Sequence, residues 1–119
     1  MRGGFFVEHH IYRKVHFEFL SAVYDPYVLT GTVTIRGNEM VLQVELRDDR
    51  PYWIRGIKQA GFYKGDHEGA TDDVEVKAQW AHVDNNVWVG IWVEEETDYL
   101  FTFDTPPGLL QVLPDEAEE

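Results

Sequence analysis

The stretch "LTGTVTIRGNEMVLQVEL", residues 29–46, decides the fold class. Gly37–Asn38 is a two-residue turn of the kind that tolerates the positive φ angles of a tight hairpin. Closing the chain there pairs Arg36 with Glu39, Ile35 with Met40, Val33 with Leu42 and Gly31 with Val44. Every apolar partner then lies on one face, and Thr32, Thr34, Gln43 and Glu45 lie on the other. That is the alternation of an antiparallel sheet with one dry and one wet side.

Working outward, the same period of two recurs and helical periodicity is nearly absent. Runs rich in Val, Ile, Thr and aromatic residues, separated by turn residues, predict strands near 9–20, 28–36, 39–47, 51–58, 60–64, 73–83, 87–95 and 98–104. About eight short strands in series predict an all-β domain, a single antiparallel barrel or barrel-like sandwich with no long helix. Its order is like that of lipocalin-like barrels, an analogy of architecture only, since the early Gly-x-Trp of that family is missing. The domain is expected over residues 1–107. Residues 108–119 add an apolar segment, in which Leu109, Leu110, Val112 and Leu113 cover an open edge or barrel mouth, and an acidic, mobile tail. Gly56, Gly61, Gly65 and Gly69 predict short, kinked or bulged strands, and "KGDHEGATDD", 64–73, reads as a polar surface loop.

At 119 residues and 44% hydrophobic, with four Trp, six Tyr and seven Phe, the chain can bury a core without staples. It has no cysteine, which excludes disulfides, thiolate zinc sites and thiol catalysis and fits a cytoplasmic location. "MRGGFFVEHH" has too short an apolar run for a secretory signal, and no stretch approaches the roughly 20 apolar residues of a membrane helix. The net charge of −12 has the wrong sign for neutralising nucleic-acid phosphates or for docking on anionic membranes. It would instead speed encounter with a basic protein or a cationic ligand.

The strand "NVWVGIWVEE", 86–95, has no wet face: Val87, Val89, Ile91 and Val93 alternate with Trp88, Gly90 and Trp92. Its partner strand, 74–83, has its apolar side on Val74, Val76, Ala78, Trp80 and His82. A two-residue turn at Asn85–Asn86 pairs Trp80 with Ile91 and turns the Val/Ile face inward. A three-residue turn over Asp84–Asn86 pairs Trp80 with Gly90 and puts the tryptophans inside, with Gly90 making room for the indole. One residue of slip exchanges the faces. Either way a second apolar face needs cover from another part of the chain, from a ligand, or from a second copy in a homodimer through 87–93, with Glu94, Glu95 and Glu96 left on the rim.

The residues predicted to form a ligand site are Tyr52, Trp53, Trp80, Trp88, Trp92, Phe101 and Phe103, with His82 and Arg55 to orient the ligand. Such a pocket, mostly apolar with few polar groups, suits a small apolar or aromatic molecule bound without catalysis. An acidic module that neutralises a basic protein is the second reading. A barrel enzyme using His82 as acid or base is the third. No nucleophile elbow, phosphate loop or zinc signature is present, Ser21 is the only serine, and no metal or cofactor is expected. His10 and His16 share parity on the first strand but stand too far apart for strand-borne metal ligands.

Overall fold

The computed structural model describes residues 8–45, 51–67 and 75–114. The chain folds as a closed antiparallel barrel of eight strands with one strand added outside it. In chain order the strands are β1 (Glu8–Leu20), β2 (Tyr27–Arg36), β3 (Glu39–Val44), β4 (Tyr52–Lys58), β5 (Tyr63–His67), β6 (Val76–Asp84), β7 (Val87–Glu94), β8 (Thr97–Asp104) and β9 (Leu110–Pro114). Each of the first eight pairs with its sequence neighbour, and β8 returns to β1 to close the ring. Closure removes the exposed edges that an open sheet of this length would carry.

The β2–β3 hairpin has the register read from the sequence, from Arg36↔Glu39 through Gly31↔Val44, with Gly37 at φ +60°. Val33, Met40, Leu42 and Val44 are fully buried on its inner face. The C-terminal apolar segment does meet an open edge. It forms β9, which pairs with Glu8–Tyr12, on the same edge of β1 as β8 but along the N-terminal stretch that β8 does not reach. The strand placed at 60–64 lies at 63–67 instead, so the first part of "KGDHEGATDD" is ladder rather than loop. The rest of that loop and the acidic tail lie outside the described residues.

The glycines of β4 and β5 do not mark bulges. The β4–β5 ladder is regular, with Gly56 directly opposite Gly65. The missing side chain of Gly56 leaves space for the Trp80 indole, whose ring carbons would stand 2.6 and 2.8 Å from a Cβ there, while a Cβ at Gly65 would run into the Arg55 backbone. The real irregularities are elsewhere. In β1 an extra residue is accommodated between Tyr12 and Val15, with Lys14 at φ +61°. This bulge switches the parity of the strand. His10 is therefore on the inner side and half-buried, while His16 is exposed on the outside, so the two histidines do not share a face.

The second bulge settles the register of β6 and β7. The turn is Asn85–Asn86, with Asn85 at φ +40°, yet His82 pairs with Trp88 and Trp80 with Gly90. Val83 is the extra residue, since Asp84 pairs with Val87. The two-residue turn and the tryptophan-inward faces thus occur together, which neither simple turn length allows. Trp80, Trp88 and Trp92 are buried, and Val89, Ile91 and Val93 face outward. Across β7, β8 and β1, Ile91, Leu100 and Leu20 line up in register and stay 42%, 41% and 43% exposed.

Candidate functional site

The barrel interior is a continuous aromatic stack. Phe17 and Phe103 meet at 4.9 Å, and Phe103 lies parallel to Trp88 at 5.9 Å. Trp80 packs on Tyr63 at 6.1 Å and edge-on to Phe101 at 6.3 Å, and Phe101 leads to Trp92 at 5.5 Å. Ring pairs at these separations add to the burial energy when offset or edge-on. Each inward indole N–H has a different acceptor: Trp80 donates to Met40 Sδ at 3.0 Å, Trp88 to Thr105 Oγ1 at 3.0 Å and Trp92 to Glu94 Oε1 at 3.1 Å. That satisfaction is what buried indoles require.

The structure brings together Trp80, Trp88, Trp92, Phe101 and Phe103 from the predicted set, and places Tyr52 above them at one end of the barrel. It does not bring in Trp53 or Arg55. Because Tyr52, Ile54 and Gly56 pair with the inward Val44, Leu42 and Met40, the alternate residues Trp53 and Arg55 point outward. Trp53 is 45% exposed, and the Arg55 guanidinium pairs with Glu39 on the outer surface. His82 has inward parity but sits at the rim of the opposite end. It is exposed, stacked on Trp88 at 4.6 Å, with a ring nitrogen hydrogen-bonded to the Asn85 carbonyl. The Ser21 hydroxyl accepts the backbone N–H groups of Val23 and Tyr24 and so shapes the β1–β2 connection.

The end of the barrel where β1 leads into β2 and β7 into β8 gathers residues that the sequence reading did not join. Glu94, expected on the rim with Glu95 and Glu96, is the inward-facing last residue of β7. Glu95 and Glu96 form the turn that follows, with Glu95 at φ +57°. The Glu94 carboxylate is held by two neutral donors, the Tyr52 hydroxyl at 2.7 Å and the Trp92 indole. It forms no ion pair with any described residue. Tyr52 lies 5.7 Å from Trp92, Tyr27 stacks on Phe19 at 5.3 Å, and Tyr27 and Tyr99 meet edge-on at 6.2 Å. Burial raises the Tyr27 hydroxyl pKa well above the ordinary tyrosine value, with the neighbouring Tyr99 and then Glu94 adding to it. Burial likewise raises Tyr99. The tyrosines therefore stay neutral beside the carboxylate.

A signal for this cluster is present in the parity of β7 and β8, since Glu94 follows Trp92 by two residues and Tyr99 precedes Phe101 by two. Tyr27 joins them only when β1 and β8 close the ring. Among the described residues no group of three or more His, Asp or Glu side chains could hold a metal ion. None of their helices is long and apolar enough to cross a membrane. A cleft of about 270 Å³ lies outside the barrel, lined by Lys14, His16, Glu18 and Asp104 among others. No protein-family model matches the chain, and a search among curated proteins finds none similar to it.

Proposed function

We propose that the protein is a non-catalytic binding domain for a small, mostly apolar or aromatic ligand, taken up at the barrel end formed by Tyr27, Tyr52, Trp92, Tyr99 and Glu94. The observation that carries this reading is the change in packing along the interior. Trp80 and Trp92 are each 1% exposed and in contact with neighbouring rings, so a ligand at the barrel centre would have to displace an aromatic side chain. At the mouth Tyr27 is 37% exposed and Tyr52 half-buried, above the buried Tyr99 and Trp92, and a carboxylate supplies one orienting polar group. Apolar walls with few placed polar groups are the usual make-up of a small-molecule site.

The test is tryptophan fluorescence screened against a library of small aromatic and apolar molecules. A binder is expected to perturb Trp92 emission, and Tyr27→Ala is expected to weaken that binder while the far-ultraviolet spectrum stays unchanged. No perturbation by any compound, with a basic protein co-purifying in a salt-sensitive complex, would replace this reading with that of an acidic module for a basic partner. The net charge of −12 supports that second reading.

A further inference from the structure

We propose that the cleft outside the barrel, where β8 and β9 part along β1, binds a zwitterion of dipeptide size, its carboxylate against Lys14 and its ammonium against Asp104. This second site is independent of the barrel mouth and of the reading given to it.

The cleft is a gap in the sheet. β8 pairs with β1 as far as Phe17↔Phe103, and β9 takes up the same edge at Tyr12↔Leu110. Between the two ladders the chain leaves the sheet. The Thr105 N–H donates to the Asn86 carbonyl, and Pro107–Leu109 form a short 3-10 helix. Pro106 and Pro107 have no N–H to give a ladder. Residues 13–16 of β1 therefore face no strand on this edge, and the cleft of about 270 Å³ lies beside them.

The β1 bulge decides which side chains line it. Tyr12 before the bulge and Val15 after it both point inward, so Arg13 and Lys14 fall side by side on the outer face. Arg13 Nε donates to Gln111 Oε1 of β9 at 3.1 Å, and Lys14 lines the cleft, with His16 following it along β1. Asp104, at the end of β8, lines the other bank, and half-buried Pro106 and Leu109 add an apolar wall. Lys14 forms no ion pair with Asp104, so opposite charges share the cleft without closing it.

These groups choose among ligands. A plain anion is opposed by Asp104 and by the overall charge of −12, and a plain cation by Lys14 and Arg13. A molecule with one charge of each sign satisfies both banks through charge-assisted hydrogen bonds. The banks belong to strands that stand about 4.8 Å apart where they pair, and here they part further. A free amino acid carries both charges on one carbon and spans too little. A dipeptide sets them one residue further apart, about 3.5 Å. Its amide can then meet His16 and the unladdered backbone of β1, as an added strand would. An apolar second side chain would lie against Pro106 and Leu109.

Glycyl-leucine, its N-acetyl derivative and its C-terminal amide test the proposal, since each derivative removes one charge. Binding to the full chain is followed by calorimetry and by amide chemical shifts in nuclear magnetic resonance. Glycyl-leucine is expected to bind roughly three- to tenfold more tightly than either derivative, with shifts confined to residues 13–18 and 102–109. Lys14→Gln is expected to bring glycyl-leucine and its amide together while the preference over the acetylated form remains. Asp104→Asn is expected to do the converse. Both side chains are exposed, and unchanged melting curves would show that the variants fold. Tyr27→Ala, at the far mouth, is expected to leave this binding unchanged. Equal affinity for the three compounds, shifts outside the cleft, or no binding by any of them would overturn the proposal and leave the barrel-mouth reading untouched.

Discussion

Trp80 and Gly90 stand opposite each other across β6 and β7, and the Trp80 Cβ, the Gln79 carbonyl and the Phe101 ring occupy the space a side chain at 90 would need. A methyl group on Gly90 would lie 2.6 Å from Trp80 Cβ and 2.7 Å from a Phe101 ring carbon, and in hard contact with the Gln79 carbonyl. Gly90→Ala is therefore expected to destabilise the fold by about 1–3 kcal/mol, the usual cost of overpacking. Urea denaturation at matched slope measures it. A change within experimental error would contradict the packing described for Trp80.

The faces of β7 are tested by a pair of neighbouring substitutions. Trp88→Glu removes a buried ring, leaves the Thr105 hydroxyl without its donor and places a charge beside Phe103. Its expected cost is about 3 kcal/mol or more, enough to unfold a marginal domain. Val89→Glu changes the outward face and is expected to cost about 1 kcal/mol at most. Circular dichroism melts compare the two. The opposite ranking would mean that the register is off by one residue. The homodimer expected through this strand would use the same outward face. Ile91→Glu, next to Leu100, is expected to abolish any concentration-dependent sedimentation of the wild-type chain while leaving the fold intact.

Val83 is the extra residue of the β6–β7 hairpin and is 56% exposed. Removing it would leave His82↔Trp88 and Asp84↔Val87 as consecutive pairs around the same Asn85–Asn86 turn. Deletion of Val83 is thus expected to keep the near-ultraviolet tryptophan spectrum and to change stability by about 1 kcal/mol or less. Loss of that spectrum would show that the bulge itself holds the tryptophans inward.

Alkaline pH should weaken the domain. Burial raises the pKa of Tyr27, Tyr63 and Tyr99 in the folded state above the ordinary 10.0. Once the pH passes the unfolded value, the unfolded chain loses these protons while the folded chain keeps them, so unfolding becomes easier. Their contribution is complete below about pH 10 and falls as the pH rises through the folded values. Denaturation midpoints between pH 8 and 11 should decline at the upper end, and Tyr27→Phe should make the decline shallower. A midpoint independent of Tyr27 across that range would argue against the burial of its hydroxyl.

By itself the sequence determined the elements whose evidence is local. The Gly37–Asn38 turn and the alternation on both sides of it specify one register, because turn geometry and apolar pairing agree within eighteen residues. The all-β class follows from the same period repeated along the chain. What lay beyond it was decided by closure of the barrel. Asn85 and Asn86 suit a two-residue turn, and only the fit of the Trp80 indole over Gly56, opposite Gly90, selects the bulge at Val83 that turns the tryptophans inward. The bulge near Lys14 separates His10 from His16 for a similar reason, since the inner positions after it must present Val15, Phe17 and Phe19 to the core. The barrel mouth is the clearest case. Tyr27, Tyr52, Glu94 and Tyr99 come from four strands, and their distances follow from how many strands close the ring and how far each is staggered. Local pattern carries no term for those quantities; the packing of rings in the interior sets them.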